Sequence, residues 1–229
     1  MPNPILPLKK SEVLRYLGYR RKQELTAEVE AIVEELMIEV QKVSKPRYLY
    51  QIFDCLPDDE KREIKIGGSN LILRGQHIYN HLRRAKKVAL LGATLGIEAE
   101  RQTRKYEITD MTKAFVFDAC CVEMIEQVCD LAEVEIDDDV GENWTLNRRF
   151  SPGYGDLPLD VQPEFLASIS ANRKLGLTLT ATNLMVPRKS VTAIIGLFDD
   201  KTIARPRRRE PDDLSIELVE KLSLNVEKN

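Results

Sequence analysis

The stretch "DMTKAFVFDACCVEMIEQVCDLAEV", residues 110–134, decides how the rest of the chain must be arranged. Its middle is apolar nearly all the way round, and a helix of that kind is buried on several sides. The chain must wrap other elements about it, which predicts a long central helix. Three acids interrupt its apolar middle: Asp118, Glu123 and Glu126. Asp118 and Glu126 are eight positions apart and so share a face, two turns from each other. Carboxylates on so apolar a helix are costly unless they are paired or look into a cleft. Two readings stay open: solvation at the helix ends with arginine partners, or acids that face a ligand.

Outward from that helix, the elements are mixed. "SEVLRYLGYRR" predicts a short helix with Ser11 as its cap. From Leu25 the apolar positions Val29, Ile32, Val33, Leu36, Met37, Val40 and Val43 keep helical spacing, with a solvated acidic face, up to Lys45-Pro46. "RYLYQIFDC" (47–55) reads as a strand, and "EIKIGGSNLILRG" (63–75) as a hairpin turning at Gly67-Gly68-Ser69-Asn70. "HIYNHLRRA" is a short helix, "KKVALLGATLG" (86–96) a buried strand and "IEAERQTRKYEI" a helix. "EIDDDVGENW" reads as a polar connection and "LDVQPEFLASIS" as a helix. "LGLTLTATNLMVP" reads as a strand with an irregular turn, and "SVTAIIGLF" as a strand. Helices and strands without regular alternation, plus a hairpin, predict an α+β fold: a bent, largely antiparallel sheet with flanking helices and the long central one.

The expected organisation is one unit in three parts: an N-terminal helical and hairpin region over 1–85, a core over 86–200 and an exposed tail over 201–229. In that tail, Arg207–Arg209 are flanked by acids and read as solvated. At 229 residues with 43% hydrophobic content, the chain can bury a sizeable core. A formal net charge of −3 gives no global basic field for nucleic acid. No run reaches the roughly 18 apolar residues of a membrane span, and "MPNPILPLKK" lacks a signal-peptide core, so a cytoplasmic protein is expected. The four cysteines, Cys55, Cys120, Cys121 and Cys129, form no CxxC pair and read as buried thiols. His77 and His81 are four apart on a helix but lack a third ligand beside them, so no metal site is expected. Gly92 and Gly96 do not complete a dinucleotide-binding or P-loop pattern.

One segment is not ordinary scaffold: "RRFSPGYGDLPLD", residues 148–160. Pro152-Gly153 sets a tight turn in which Gly153 can take positive φ and let a ligand approach the backbone. Arg149 offers a planar fork for a carboxylate, and the Tyr154 phenol can stack or donate a hydrogen bond. Pro158 stiffens the exit. These groups suit a small ligand with a carboxylate at one end. They equally suit a structural loop whose arginine pairs a nearby acid.

The segment resembles the activation (reactivation) domain of cobalamin-dependent methionine synthase, which carries an Arg-x-x-Pro-Gly-Tyr-x-x-x-Pro run. Arg149, Pro152, Gly153, Tyr154 and Pro158 fit it. "GLTLTATNLMVPRKSV" (176–191) is similar to the family's second signature through Gly176, Leu179, Thr180, Met185, Pro187 and Val191, with Thr182 at a usual serine. The long helix is similar to the one that supplies an acid toward the ligand's amine, with Glu126 as first choice and Glu123 as second. Ile195 stands where the family has an aromatic, and the family's N-terminal ligand acid has no counterpart here. The similarity spans roughly residues 86–198, and the first 85 look like those of short, free-standing relatives.

The resemblance implies S-adenosylmethionine held by Arg149, Ser151, Pro152, Gly153, Tyr154 and Glu126 or Glu123, supported by Pro158, Thr182, Met185 and Pro187. Arg149 would take the methionine carboxylate and the helix acid the amine. Backbone around Ser151–Gly153 would take the adenine edge or ribose, and Tyr154 the sulfonium or ring. It also implies a partner, methionine synthase or another corrinoid protein, that carries the cobalamin, and an electron donor such as a flavodoxin or ferredoxin. Together these would restore methylcobalamin by reductive methylation, a methyltransferase activity of methionine biosynthesis. No catalytic acid, base or nucleophile is expected on this chain, because the cofactor supplies the chemistry. The competing expectation is a degenerate scaffold that binds a corrinoid protein without using S-adenosylmethionine. An independent methyltransferase is disfavoured by the missing Gly-rich loop and candidate base.

Overall fold

The computed structural model describes residues 6–20, 25–199 and 213–225. In chain order its elements are α1 (Lys10–Tyr16), α2 (Ala27–Val43), β1 (Arg47–Asp58), β2 (Glu63–Ile66), β3 (Ile72–Arg74), α3 (Gln76–Leu82), β4 (Lys87–Thr94), α4 (Ile97–Thr109), α5 (Met111–Val140) and β5 (Thr145–Leu146). A 3-10 turn (Leu159–Val161), α6 (Gln162–Ser168), α7 (Ala171–Leu175), β6 (Thr178–Leu179), β7 (Met185–Val186), β8 (Ser190–Phe198) and α8 (Asp213–Leu222) follow. The fold is α+β, with a six-stranded sheet in the order β3-β2-β1-β4-β8-β5 and every pairing antiparallel. β1 serves two partners: Arg47 to Asp54 pair with β4, and Cys55 to Asp58 pair with β2.

The central strands explain why β4 reads as a continuous apolar run. Val88 and Leu90 point into one core, while Ala89, Leu91 and Ala93 point into the other. β8 alternates in the same way, with Ile194 on one side and Ala193, Ile195 and Leu197 on the other. The sheet is therefore covered on both faces. On one face α5 packs on β1, β4 and β8, with α1, α2, α4 and α8 around α5. On the other lie the β2–β3 hairpin, α3, α6 and α7. Each large side chain buried in these layers contributes roughly 1.5–3 kcal/mol, so α5, apolar on several sides, pins the helical layer.

Four expectations need correction. Ser11 does not cap α1: it lies within the helix, and the Glu123 carboxylate of α5 accepts the N–H of the cap residue Lys9 at 3.1 Å. The acids of "EIDDDV" do not end α5, which continues to Val140 and stops at Gly141, because Glu135 and Ile136 are buried against the core. The strand with an irregular turn expected in "LGLTLTATNLMVP" (175–187) shortens to β6, and the turn returns through β7 as a small β6–β7 hairpin. The tail expected to be exposed docks in its last part: Leu218, Leu222 and Ser223 are buried. Leu224 donates its N–H to the Tyr48 carbonyl at 2.9 Å. The Asn225 amide brackets the Tyr50 main chain, accepting at 3.0 Å and donating at 2.7 Å. An open strand edge is otherwise a site for unwanted pairing, and this segment covers β1 there. Arg207–Arg209 lie outside the described residues.

Candidate functional site

The site begins where a strand stops being able to pair. Phe150 and Ile194 exchange both main-chain hydrogen bonds, at 2.9 and 2.8 Å, so the 148–150 segment runs along the outer edge of β8. Two residues later Pro152 has no N–H to continue that ladder, and the chain peels away. Main-chain polar groups alternate sides along a strand, so those of Thr192 point to the same edge as those of Ile194. They therefore face the gap that opens there. That gap is a cleft of about 650 Å3, within the range of small-ligand sites.

Three segments wall it. The turn after Phe150 supplies Ser151, Pro152, Tyr154 and Gly155, with Arg149 and Glu126 beside them. Asn183, Leu184 and Met185, from the β6–β7 hairpin, form the opposite rim. Ser190, Val191 and Thr192 of β8, with Gln162 of α6, line the rest, and His77 of α3 closes one end. Gln162 and Thr192 hold each other through their side chains at 2.9 and 3.1 Å. The turn is tightly built: Gly153 donates to the Leu157 carbonyl at 2.8 Å, and Tyr154 to that of Ser151 at 3.1 Å. Gly155 has φ +58°, and a Cβ there would come within 2.6 Å of His77 Nδ1. Asp156 ties the turn to α3, accepting N–H groups of Gln76 and His77.

Arg149 is held by one stripe of α5. Its Nη2 lies 2.8 Å from Glu126, and its Nη1 lies 3.0 Å from Asp130 and 2.9 Å from Glu133. Positions 126, 130 and 133 follow helical spacing, which puts the three carboxylates on one face. Burial lowers the Arg149 pKa, but Cys129, Glu133, Asp130 and Glu126 raise it more, and the guanidinium stays charged. A guanidinium has five N–H groups. Among the described residues Arg149 donates hydrogen bonds to Asp130 from Nη1 and to Glu126 from Nη2, which leaves the Nε–H and one Nη2–H for another acceptor. Tyr16 at the end of α1 sits near this wall: its pKa is raised by burial and by the Glu126 carboxylate.

Among the residues singled out from sequence, Arg149, Ser151, Pro152, Tyr154, Glu126 and Met185 line the cleft. Gly153 shapes the turn from behind, and Pro158 precedes the 3-10 turn at an exposed position. Thr182 is exposed and bonded to Thr180, while Pro187 is buried off the cleft. Glu123 is not a cleft residue: it is 2% exposed under the start of α1, bonded to Lys9 and Gln127. Ile195 is buried in the helical core, not on the cleft. Asp118 pairs with Lys189 at 2.7 Å. Sequence reasoning missed His77, Gln162, Asn183 and Thr192, whose signal lies in tertiary placement rather than in any local motif.

Other chemistries find little footing. Burial pushes Cys55, Cys120 and Cys129 up to about 12 and raises Cys121 as well, so these thiols are poor nucleophiles. His81 is bonded to the Arg148 carbonyl at 2.8 Å, with its pKa lowered by burial. Among the described residues no group of His, Cys, Asp or Glu is placed to hold a metal ion, and no helix is long and apolar enough to cross a membrane.

No family model and no curated protein matches the chain. Solved structures do. One, described as the crystal structure of the MetH reactivation domain bound to AdoHcy, aligns with a TM-score of 0.62 at 15% identity. The alignment covers 86% of this chain and 76% of that one. The chain has the fold of the MetH reactivation domain.

Proposed function

We propose that the chain is an S-adenosylmethionine-binding activation subunit. One observation carries this reading. Both signature segments and Glu126 of the long helix converge on one cleft of about 650 Å3, in a fold shared with a solved reactivation domain bound to AdoHcy. The ligand's methionine carboxylate would take the Nε–H and Nη2–H groups that Arg149 has left, and its amine the Glu126 carboxylate. The Thr192 main-chain edge would read the adenine or ribose, and Tyr154, 72% exposed at the rim, would stand where its ring face favours a cation. The task is positioning, since no side chain of the cleft need act as acid, base or nucleophile. The methyl group, with one electron from a flavodoxin- or ferredoxin-like donor, would pass to the cob(II)alamin of a partner methionine synthase or related corrinoid methyltransferase. That gives methylcobalamin and S-adenosylhomocysteine.

Calorimetric titration of S-adenosylmethionine into the purified chain tests the reading. Saturable 1:1 binding that weakens in Tyr154→Ala supports it, and no binding at millimolar ligand removes it. A second reading has its own observation: Arg149 is already engaged by three carboxylates, as a purely structural arginine would be. It makes the chain a scaffold for a corrinoid protein. Capture of such a protein by a chain that binds no S-adenosylmethionine would favour it.

A further inference from the structure

The wall around Arg149 holds more negative charge than the guanidinium can balance. Glu126 and Asp130 alone are two carboxylates on one cation, at 2.8 and 3.0 Å, and Glu133 adds a third at 2.9 Å. Glu126 lines the cleft, while Asp130 is one turn further along α5 and touches the ligand space only through Arg149. This surplus loosens the hold on the ligand's carboxylate, which Arg149 must offset. For a ligand with a fixed positive charge it is an advantage. S-adenosylmethionine and S-adenosylhomocysteine share adenosine, ammonium and carboxylate, and differ by the sulfonium methyl and its single positive charge.

We infer that Asp130 is a specificity-determining positioning residue, which fixes Arg149 and, with Glu126, makes the cleft prefer the sulfonium form of its ligand over the neutral thioether. This rests on the functional reading above and adds a direction to it. Loss of the methyl removes the charge that the wall favours, so the spent ligand leaves and fresh donor replaces it. At a partly solvated site one charge acting on another across several ångströms is worth about a tenfold difference in affinity.

The test is calorimetry with three probes: S-adenosylmethionine, S-adenosylhomocysteine and an analogue with an ammonium group in place of the sulfonium. The native chain should prefer the first over the second by about tenfold at low salt, less at high salt, and the third should follow the first. Asp130→Asn should shrink the ratio about threefold or more through weaker S-adenosylmethionine binding, and Asp130→Glu should restore it. Asp130 is 44% exposed in its side chain, and unchanged thermal melting checks the fold. Equal affinities for the two adenosyl ligands, an ammonium analogue that follows the thioether, or an Asp130→Asn ratio equal to the native one overturns this inference alone. No binding of any of the three overturns the functional reading, and this inference with it.

Discussion

Replacing Arg149 by methionine removes one cation from among three carboxylates and keeps most of the side chain's apolar stem. The partners Glu126, Asp130 and Glu133 are 42%, 44% and 24% exposed in their side chains, so each pair is screened by solvent. Pairs of that exposure contribute roughly 0.2–1 kcal/mol each, with the least exposed toward the top of the range. Three together give about 2 kcal/mol, including the repulsion among the acids left behind. In a chain of this size one kcal/mol moves the melting temperature by roughly 2–4 °C, so the expected fall is about 4–8 °C. Because the cost is electrostatic and partly solvated, it should shrink in 1 M salt, where the Debye length is about 3 Å. The assay is thermal and urea denaturation of both proteins at low and high salt. A variant as stable as the native chain at low salt, or a deficit that salt leaves untouched, would refute the ion-cluster account.

Gly155→Ala should weaken S-adenosylmethionine binding and cost about 1–3 kcal/mol, because φ +58° and a Cβ 2.6 Å from His77 Nδ1 force the turn to shift; unaltered affinity and stability would contradict the placement of this turn. Leu222→Ala should cost about 2–5 kcal/mol by urea denaturation if α8 is docked, and less than about 0.5 kcal/mol if that segment is a solvated tail. Glu135, whose pKa burial raises against the Ser223 hydrogen bond at 2.9 Å, gives a pH signature. Its proton is held more tightly in the folded chain, so its contribution is present below the ordinary glutamate range and is lost as pH rises through the folded value. Glu135→Gln should therefore gain on the native chain from mildly acid to neutral pH, and parallel pH profiles would sink that explanation.

The fold was legible wherever one pattern sufficed. The apolar run Val88–Leu91 reads as a buried strand because both faces of β4 are covered, and the Gly67–Asn70 turn between alternating runs forms its hairpin. The end of α5 misled because acids look like a connection, yet Glu135 is buried among Tyr48 and Ser223, groups more than eighty residues away in sequence. The last helix shows the same limit: the spacing of Leu218 and Leu222 is amphipathic, but only the open edge of β1 tells where it docks. At the site, the Arg149–Tyr154 run could be named from sequence because turn chemistry and a planar cation sit within six residues. The choice between Glu126 and Glu123 could not, since it depends on α1 covering Glu123 and leaving Glu126 open. Asp130 and Glu133 gain a role only once Arg149 is laid against α5.

The most direct measurement is a crystal structure of the chain grown with S-adenosylmethionine. The expected result is ligand density between residues 149–155 and 183–192, its methionyl end at Arg149 and Glu126 and its adenosine along the Thr192 edge. An empty cleft at saturating ligand, or ligand seated on another face, would contradict the account.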